Sequence, residues 1–218
     1  MTNVRHMPPR GRYLAHEVGL LAGVPGHTIG QWARRGYIKS SVSAGRPREY
    51  SYQDIAEAMV VHELLENHIP HRDIKTAIHS LREYGDWPLT NADLVASIDP
   101  ETNKGRVYAV RDDAAYDVGR LGWQQVVNPD NLNVIRDRLR RGGWVVRELP
   151  DLEHIEVDPD RLSGRPTIKG RRIPAAKVAA MASTDEGRAI LRGDYDLSDR
   201  EIADAERWWR ASSELAAA

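Results

Sequence analysis

The residues best suited to chemistry in this chain are cationic and hydrogen-bonding side chains near its N-terminus. His27, Thr28, Gln31, Arg34 and Arg35 share one predicted helix, and Lys39, Arg46 and Arg48 lie in the loop after it. Arg and Gln can form paired hydrogen bonds with guanine and adenine edges, while Lys and Arg neutralise backbone phosphates. The pattern predicts a DNA-binding surface. The alternative is that the arginines only solvate a helix end.

The charge distribution favours the first interpretation. The formal net charge of the chain is only −1, but residues 1–53 carry eight Lys and Arg against two acids. Residues 54–90 reverse this balance, with more acids than bases. A local basic face, rather than the overall charge, is what phosphate binding requires.

The elements that must position these side chains follow from the spacing of apolar residues. Helices are predicted at 14–22 and 27–35, separated by the breaker Val24, Pro25 and Gly26 and ended by Gly36. Short strands are predicted at 37–39 and 48–51 around a Gly-Pro loop at 43–47. Two helices, a turn and a basic hairpin predict a winged helix-turn-helix, whose second helix fits a major groove. Residues 1–11 are expected to form a mobile arm.

The rest of the chain predicts a helix pair and then a β-containing connector. Helices are expected at 52–66 and 71–84, strands at 94–98, 106–110 and 123–127, and a short helix at 131–141. His62, His68, His71 and His79 lack convincing metal-ligand spacing and are expected at the surface or as caps. Asp112, Asp113 and Asp117 are expected in a solvated acidic loop, and no metal site is predicted.

The C-terminal part predicts a small helical unit behind a hairpin. Glycines and prolines at 163–174 indicate the hairpin, and Pro174 opens a helix at 175–183. A second helix follows Thr184 and buries residues 189–191. Ser198 and Glu201 form a capping box for the last helix, in which one of Trp208 and Trp209 is expected in the core. The domains are therefore 12–86, 87–152 and 153–211, in a mainly α fold with small β elements.

Two segments resemble known families. The order of W-A-R-R-G-Y-I, G-R-P-R-E-Y-S-Y-Q-D-I and the helix pair to residue 84 is similar to the DNA-binding unit of MerR-type regulators. Residues 153–211 resemble the family catalogued as domain of unknown function four-three-three, through a G-x-P-x-I-x-G-x-R-I-P pattern from Gly164 to Pro174. This resemblance implies a homeodomain-like three-helix part.

The second resemblance also implies a function. Members of that family resemble VapB-type antitoxins, which are encoded beside a PIN-like ribonuclease toxin. The expected function is thus neutralisation of such a toxin, together with autorepression through operator DNA, by a homodimer. Candidate toxin-binding residues are Arg165, Arg171, Arg172, Arg207, Trp209 and Arg210, because arginine can pair with the carboxylates of a nuclease site and aromatic anchors suit interfaces.

Two other functions stay open at this stage. The first is a stand-alone MerR-like regulator with no toxin partner, in which the connector senses a ligand or joins subunits. The second is an enzyme, which is disfavoured because the chain shows no nucleophile motif, phosphate loop or carboxylate pair. No catalytic residue and no cofactor is predicted. The sequence has no cysteine, which excludes disulfides, thiol catalysis and thiolate metal sites. Because no long apolar run occurs and residues 1–9 lack the apolar core of a signal peptide, we expect a cytoplasmic protein with no membrane partner.

Overall fold

Helices at the N-terminus form the predicted helix-turn-helix. The computed structural model describes residues 8–98, 103–112, 114–119, 124–126, 148–149, 152–158 and 161–217. The first helices are α1 (Ala15–Ala22), α2 (Gly26–Arg35), α3 (Tyr52–Glu66) and α4 (His71–Ser80), followed by a 3₁₀ turn (Arg82–Tyr84) and the short α5 (Pro88–Asn91). We call α1 to α4, with the wing at residues 41–50, the N-terminal head.

Glycines allow α1 and α2 to pack backbone against backbone. A Cβ on Gly26 would lie 2.8 Å from the His16 Cα, and one on Gly19 would lie 2.9 Å from the Gly26 nitrogen. Such contacts are too short for any side chain. The turn at residues 23–25 therefore holds α2 at a fixed distance from α1, with Ile29 and Trp32 buried as the spacing predicts.

A buried carboxylate joins the wing to α3. Ser51 caps α3, and its hydroxyl accepts a hydrogen bond from the Asp54 N–H at 3.1 Å. Asp54 in turn accepts from the N–H groups of Ser41 and Ser51, each at 2.8 Å, and from the Trp87 indole at 2.8 Å. Asp54 thus fixes both ends of the wing at the start of α3.

The wing differs from its prediction. Residues 37–39 form no strand, and Tyr37 and Ile38 are instead buried in the core. The antiparallel bridges pair Ser43 with Glu49 and Tyr13 with Tyr50. Two consecutive buried residues do not fit a half-buried strand, because successive side chains of a strand point to opposite faces.

The prediction of a mobile arm at residues 1–11 is also partly wrong. The Tyr52 N–H donates to the Arg10 carbonyl at 2.7 Å, and the Arg10 N–H donates to Gln53 Oε1 at 3.0 Å. Residues 8–11 are therefore attached to the start of α3. Residues 1–7, with Arg5, lie outside the described residues.

The connector contains an antiparallel sheet with strand order β1-β2-β3-β4. Its strands are β1 (Leu94–Ile98), β2 (Gly105–Arg111), β3 (Ala114–Asp117) and β4 (Gln124–Val126). The expectation of a solvated loop is wrong for Asp117, which is buried in β3, lies 3.9 Å from Arg106 Nη1 and accepts from the Gly119 N–H. Trp123, Val127 and the helix predicted at 131–141 fall outside the described residues.

The C-terminal domain, which we take as residues 148–217, begins with a second sheet. Strands β5 (Glu148–Leu149), β6 (Leu152–Glu156) and β7 (Thr167–Ile168) precede α6 (Ala175–Met181), α7 (Asp185–Gly193) and α8 (Asp199–Ala217). Thr184 caps α7, and Ser198 and Glu201 form the predicted capping box. Leu191 is buried as expected, but Ala189 and Ile190 are exposed, because only one face of α7 meets the domain.

One hydrophobic core runs from the N-terminal head into the C-terminal domain. It includes Val18 and Leu21 of α1 together with Ile202, Ala205 and Trp208 of α8. Helix α1 contacts α2 and α3 on one side and α8 on the other. The mainly α fold with small β elements is confirmed, and within the described ranges no helix is long and apolar enough to cross a membrane.

Candidate nucleic-acid interface

A groove of about 630 Å³ separates α2 from the wing. Its lining residues come from three walls: Gly26, His27, Gly30, Gln31 and Arg34 of α2; Gly45, Arg46, Pro47, Arg48 and Tyr50 of the wing; and Leu14, Ala15 and His16 at the start of α1. The structure thus brings together five of the eight residues predicted to contact DNA. Thr28, Arg35 and Lys39 do not line this groove.

The side chains that face the groove are available to a ligand. His27, Gln31, Arg34 and Arg46 are exposed, and within the described part of the chain none of these four side chains has a hydrogen bond or ion pair. The Arg48 guanidinium donates to the Ser40 hydroxyl at 3.3 Å, which steadies it at the base of the wing. The groove is therefore lined by uncompensated positive charge, which attracts phosphate.

The remaining predicted DNA contacts lie outside the groove. Thr28 is half-buried on α2, and Arg35 is exposed at its last residue. The Lys39 ammonium lies 2.5 Å from Asp86 Oδ1, in the segment after α4. Lys39 is thus directed to an acid of the segment that follows the head rather than to the groove.

Sequence reasoning missed two groups at the groove. His16 lies at its α1 wall, and Tyr50 is fully buried at its wing wall, with a hydroxyl that has no hydrogen-bond partner among the described residues. Burial raises the pKa of the Tyr50 hydroxyl, while the nearby charges of Arg48 and Arg34 oppose this effect. Nothing local in the sequence identifies Tyr50 as a groove residue, because tyrosine is common in strands and its neighbours do not indicate that its hydroxyl is buried.

Some of the predicted toxin-binding residues are exposed to solvent, whereas others form contacts within the protein. Arg165, Arg172, Arg210 and Trp209 are exposed. Arg171 instead donates to the carbonyls of Tyr195 and Asp196 at 2.7 and 2.9 Å and lies 3.7 Å from Glu201. Arg171 thus stabilises the loop before α8. These internal hydrogen bonds compete with the toxin contact that was predicted for this residue.

Arg207 is also engaged within its own helix. It pairs with Asp204, a buried residue that also accepts from the N–H and ring Nδ1 of His154 at 3.0 and 2.8 Å. Burial on its own would raise the pKa of Asp204, but these hydrogen bonds outweigh it and lower the pKa. Asp204 thus fastens β6 to α8 as a carboxylate.

The two adjacent tryptophans separate as expected. Trp208 is 4% exposed and belongs to the core, whereas Trp209 is 46% exposed on α8. An aromatic ring that is half open to solvent next to Arg210 has the composition of an interface anchor. Across the described residues, no group of three or more His, Asp and Glu side chains is arranged to hold a metal ion.

Comparison with family models supports the two resemblances segment by segment. Residues 13–81 match the family described as "MerR HTH family regulatory protein". Residues 155–207 match "Protein of unknown function (DUF433)". The N-terminal head thus matches a MerR-type helix-turn-helix, which suggests a DNA-binding regulator, and neither match extends over half of the chain.

Similar proteins add fold information but no activity. The chain is 40% identical over 67 residues to "Uncharacterized protein Rv2308" from Mycobacterium tuberculosis, a segment that covers 29% of this chain and 28% of that protein. The crystal structure of Rv2018 from Mycobacterium tuberculosis aligns with 91% of this chain and 97% of its own, with a TM-score of 0.52 and 16% identity. At this identity the likeness shows the fold alone.

Proposed function

We propose that this protein is a transcriptional regulator that binds operator DNA in the groove between α2 and the wing. The observation that carries the proposal is the convergence of Gln31 and Arg34 on α2 with Arg46 on the wing, all without internal partners in the described residues. In this role α2 reads base edges in the major groove. The wing cations take phosphates, which give affinity and register rather than sequence preference.

A salt titration tests this function. Binding of a labelled duplex, taken from the DNA upstream of the protein's own coding sequence, is measured by fluorescence anisotropy at increasing salt. Each phosphate contact contributes about −0.9 to the slope of log affinity against log salt. We expect Arg46→Gln, on the wing, to make the slope less negative by roughly that amount. Arg34→Gln, on the helix that reads base edges, should instead weaken binding by about 1–3 kcal/mol.

The matched control is Arg192→Gln, which removes an exposed cation that pairs with Asp199 in the C-terminal domain at 2.7 Å. This variant should keep the wild-type slope. A wild-type slope for Arg46→Gln together with a wild-type affinity for Arg34→Gln would exclude the groove as the DNA-binding site.

We also propose that the C-terminal domain neutralises a PIN-like ribonuclease, so that the protein is an antitoxin that represses its own operon as a cytoplasmic homodimer without enzymatic activity. The support is the family match at 155–207 together with the exposed Trp209 and Arg210 on α8. The alternative is a stand-alone regulator with no toxin partner. The neighbouring gene separates the two, because only an antitoxin requires a ribonuclease encoded beside it.

Co-expression with that ribonuclease tests the interface. We expect Trp209→Ala and Arg210→Ala to abolish growth rescue, because truncating an interface anchor costs at least about 2 kcal/mol of binding free energy. Ser213→Ala, on an exposed position of the same helix, should still rescue. Full rescue by the Trp209 and Arg210 variants would mean that α8 does not hold the toxin.

A further inference from the structure

Tyr13 connects three parts of the molecule that the sequence keeps apart. Its backbone N–H and carbonyl both bond to Tyr50, the last residue of the wing, at 2.9 Å each. The three residues after it, Leu14, Ala15 and His16, form the α1 wall of the groove. Two of the three groove walls therefore meet at the Tyr13 backbone.

The Tyr13 side chain points away from these walls into the C-terminal domain. It is fully buried, and its ring rests on the backbone of Gly164. A Cβ on Gly164 would overlap the Tyr13 Oη and lie 2.6 Å from its Cζ. Gly164 also has a φ of +82°, which disfavours other residues. Gly164, the first glycine of the G-x-P-x-I-x-G motif, thus forms the surface against which Tyr13 packs.

A second contact acts at the same place. Helix α8 packs against α1, the helix that begins just after Tyr13. None of the eight residues of α1 is exposed, and the helix contacts α2, α3 and α8. The C-terminal domain therefore restrains both the residue that anchors the wing and the helix that forms the neighbouring wall.

We propose that Tyr13 is a positioning residue through which the docked C-terminal domain sets the position of the wing. The groove has its full shape only while Gly164 holds the Tyr13 ring. This inference rests on the proposed function for its consequence, which is that duplex affinity depends on a contact outside the groove. A protein partner that displaced α8 from α1 would lower that affinity, and by reciprocity DNA would weaken the partner's binding.

Gly164→Ala in the full chain tests the proposal, with Gly170→Ala as its matched control. Both glycines have positive φ, +82° and +73°, but a Cβ on Gly170 would meet nothing within 4 Å. Backbone strain is therefore common to both variants, and only Gly164→Ala disturbs Tyr13. We expect amide hydrogen exchange at residues 43–50 to accelerate at least tenfold in Gly164→Ala alone, with a similar loss of duplex affinity.

A double substitution separates positioning from general destabilisation. Tyr13→Leu shortens the side chain that the new methyl group meets, so Tyr13→Leu with Gly164→Ala should exchange more slowly at the wing than the sum of the single effects. Circular dichroism confirms that each variant is folded. Because exchange at the wing needs no DNA, it tests the proposal even if the wild type binds no duplex.

Two results would overturn the proposal. The first is equal exchange at residues 43–50 in Gly164→Ala and Gly170→Ala. The second is strictly additive behaviour of Tyr13→Leu and Gly164→Ala. If the Arg34→Gln and Arg46→Gln variants bind the duplex as the wild type does, the proposed function is rejected. The exchange result at the wing does not depend on that outcome.

Discussion

At the scale of single residues, the buried hydroxyl of Tyr50 affects both folding stability and, in our proposal, duplex binding. A buried hydroxyl without a partner costs about 1–3 kcal/mol of folding free energy, and the groove into which Tyr50 faces is lined by Arg34 and Arg48. If duplex binding opens the groove wall at Tyr50, a phosphate oxygen between these guanidiniums would supply the missing acceptor. We expect Tyr50→Phe to weaken duplex binding several-fold without lowering the free energy of unfolding.

Tyr13→Phe is the natural comparison for Tyr50→Phe, since Tyr13 has an equally buried hydroxyl without a partner among the described residues, directed to the C-terminal domain. It keeps the ring on Gly164 and should leave duplex affinity unchanged. Anisotropy titrations and chemical denaturation of both variants measure the two effects. An unaltered affinity in Tyr50→Phe would show that phosphate does not reach the hydroxyl.

Residue types predicted the exposed cations of the groove but not their partners. Arg34, Arg46 and Gln31 face solvent as their helical and loop positions indicate. Lys39 was predicted with them and instead pairs with Asp86, 47 residues later. No local pattern reveals an ion pair across that separation, because only the folded chain brings the segment after α4 beside Lys39.

At the scale of elements, α3 carries a carboxyl group whose environment no periodicity predicts. Glu57 is 2% exposed and accepts hydrogen bonds from the Thr90 N–H and hydroxyl at 2.8 and 3.0 Å. Burial raises the pKa of Glu57 to about 8, with a smaller contribution from the charge of Asp54 and partial opposition from the hydrogen bonds. The folded protein thus keeps a proton that the unfolded chain loses near pH 4.5.

The pH dependence of stability follows from that difference. Below pH 4.5 both states hold the proton, so the contribution of Glu57 to stability is complete there. Between pH 4.5 and 8 only the folded state holds it, and this contribution falls by up to about 1.4 kcal/mol per pH unit. We expect Glu57→Gln, which keeps an oxygen acceptor for Thr90, to flatten the decline in urea-denaturation free energy across that window.

Glu66→Gln is the control for this experiment, since Glu66 is exposed at the end of the same helix. It should retain the wild-type pH profile. A Glu57→Gln variant that still loses stability as steeply as the wild type would place the titrating group elsewhere.

Elements with strong periodicity were predicted better than short ones. The core positions Ile55, Ala58 and Val61 of α3 follow from their spacing. Strand β3 was missed because Ala114–Asp117 has four residues and lies beside two further aspartates, a composition that favours a loop. The segment forms a strand because it pairs with β2, a contact that its own sequence does not indicate.

For the whole molecule, the sequence predicted three successive domains, whereas the structure has one core that passes between the first and the last. The contact of Tyr13 with Gly164 joins residues about 150 positions apart. Motifs identify each segment separately and contain no information about docking between them. The three-domain division stays a prediction about chain segments.

The covered first helix also limits how two copies of the chain can associate. An interface gains free energy by removing accessible surface from water, and α1 offers no exposed residue for this. Four of its eight residues are buried and four are half-buried, two of the latter at the groove wall. We therefore expect a symmetric pair to place its twofold axis away from this helix. The spacing between its two operator half-sites is then set by whichever outer surface supplies the contact.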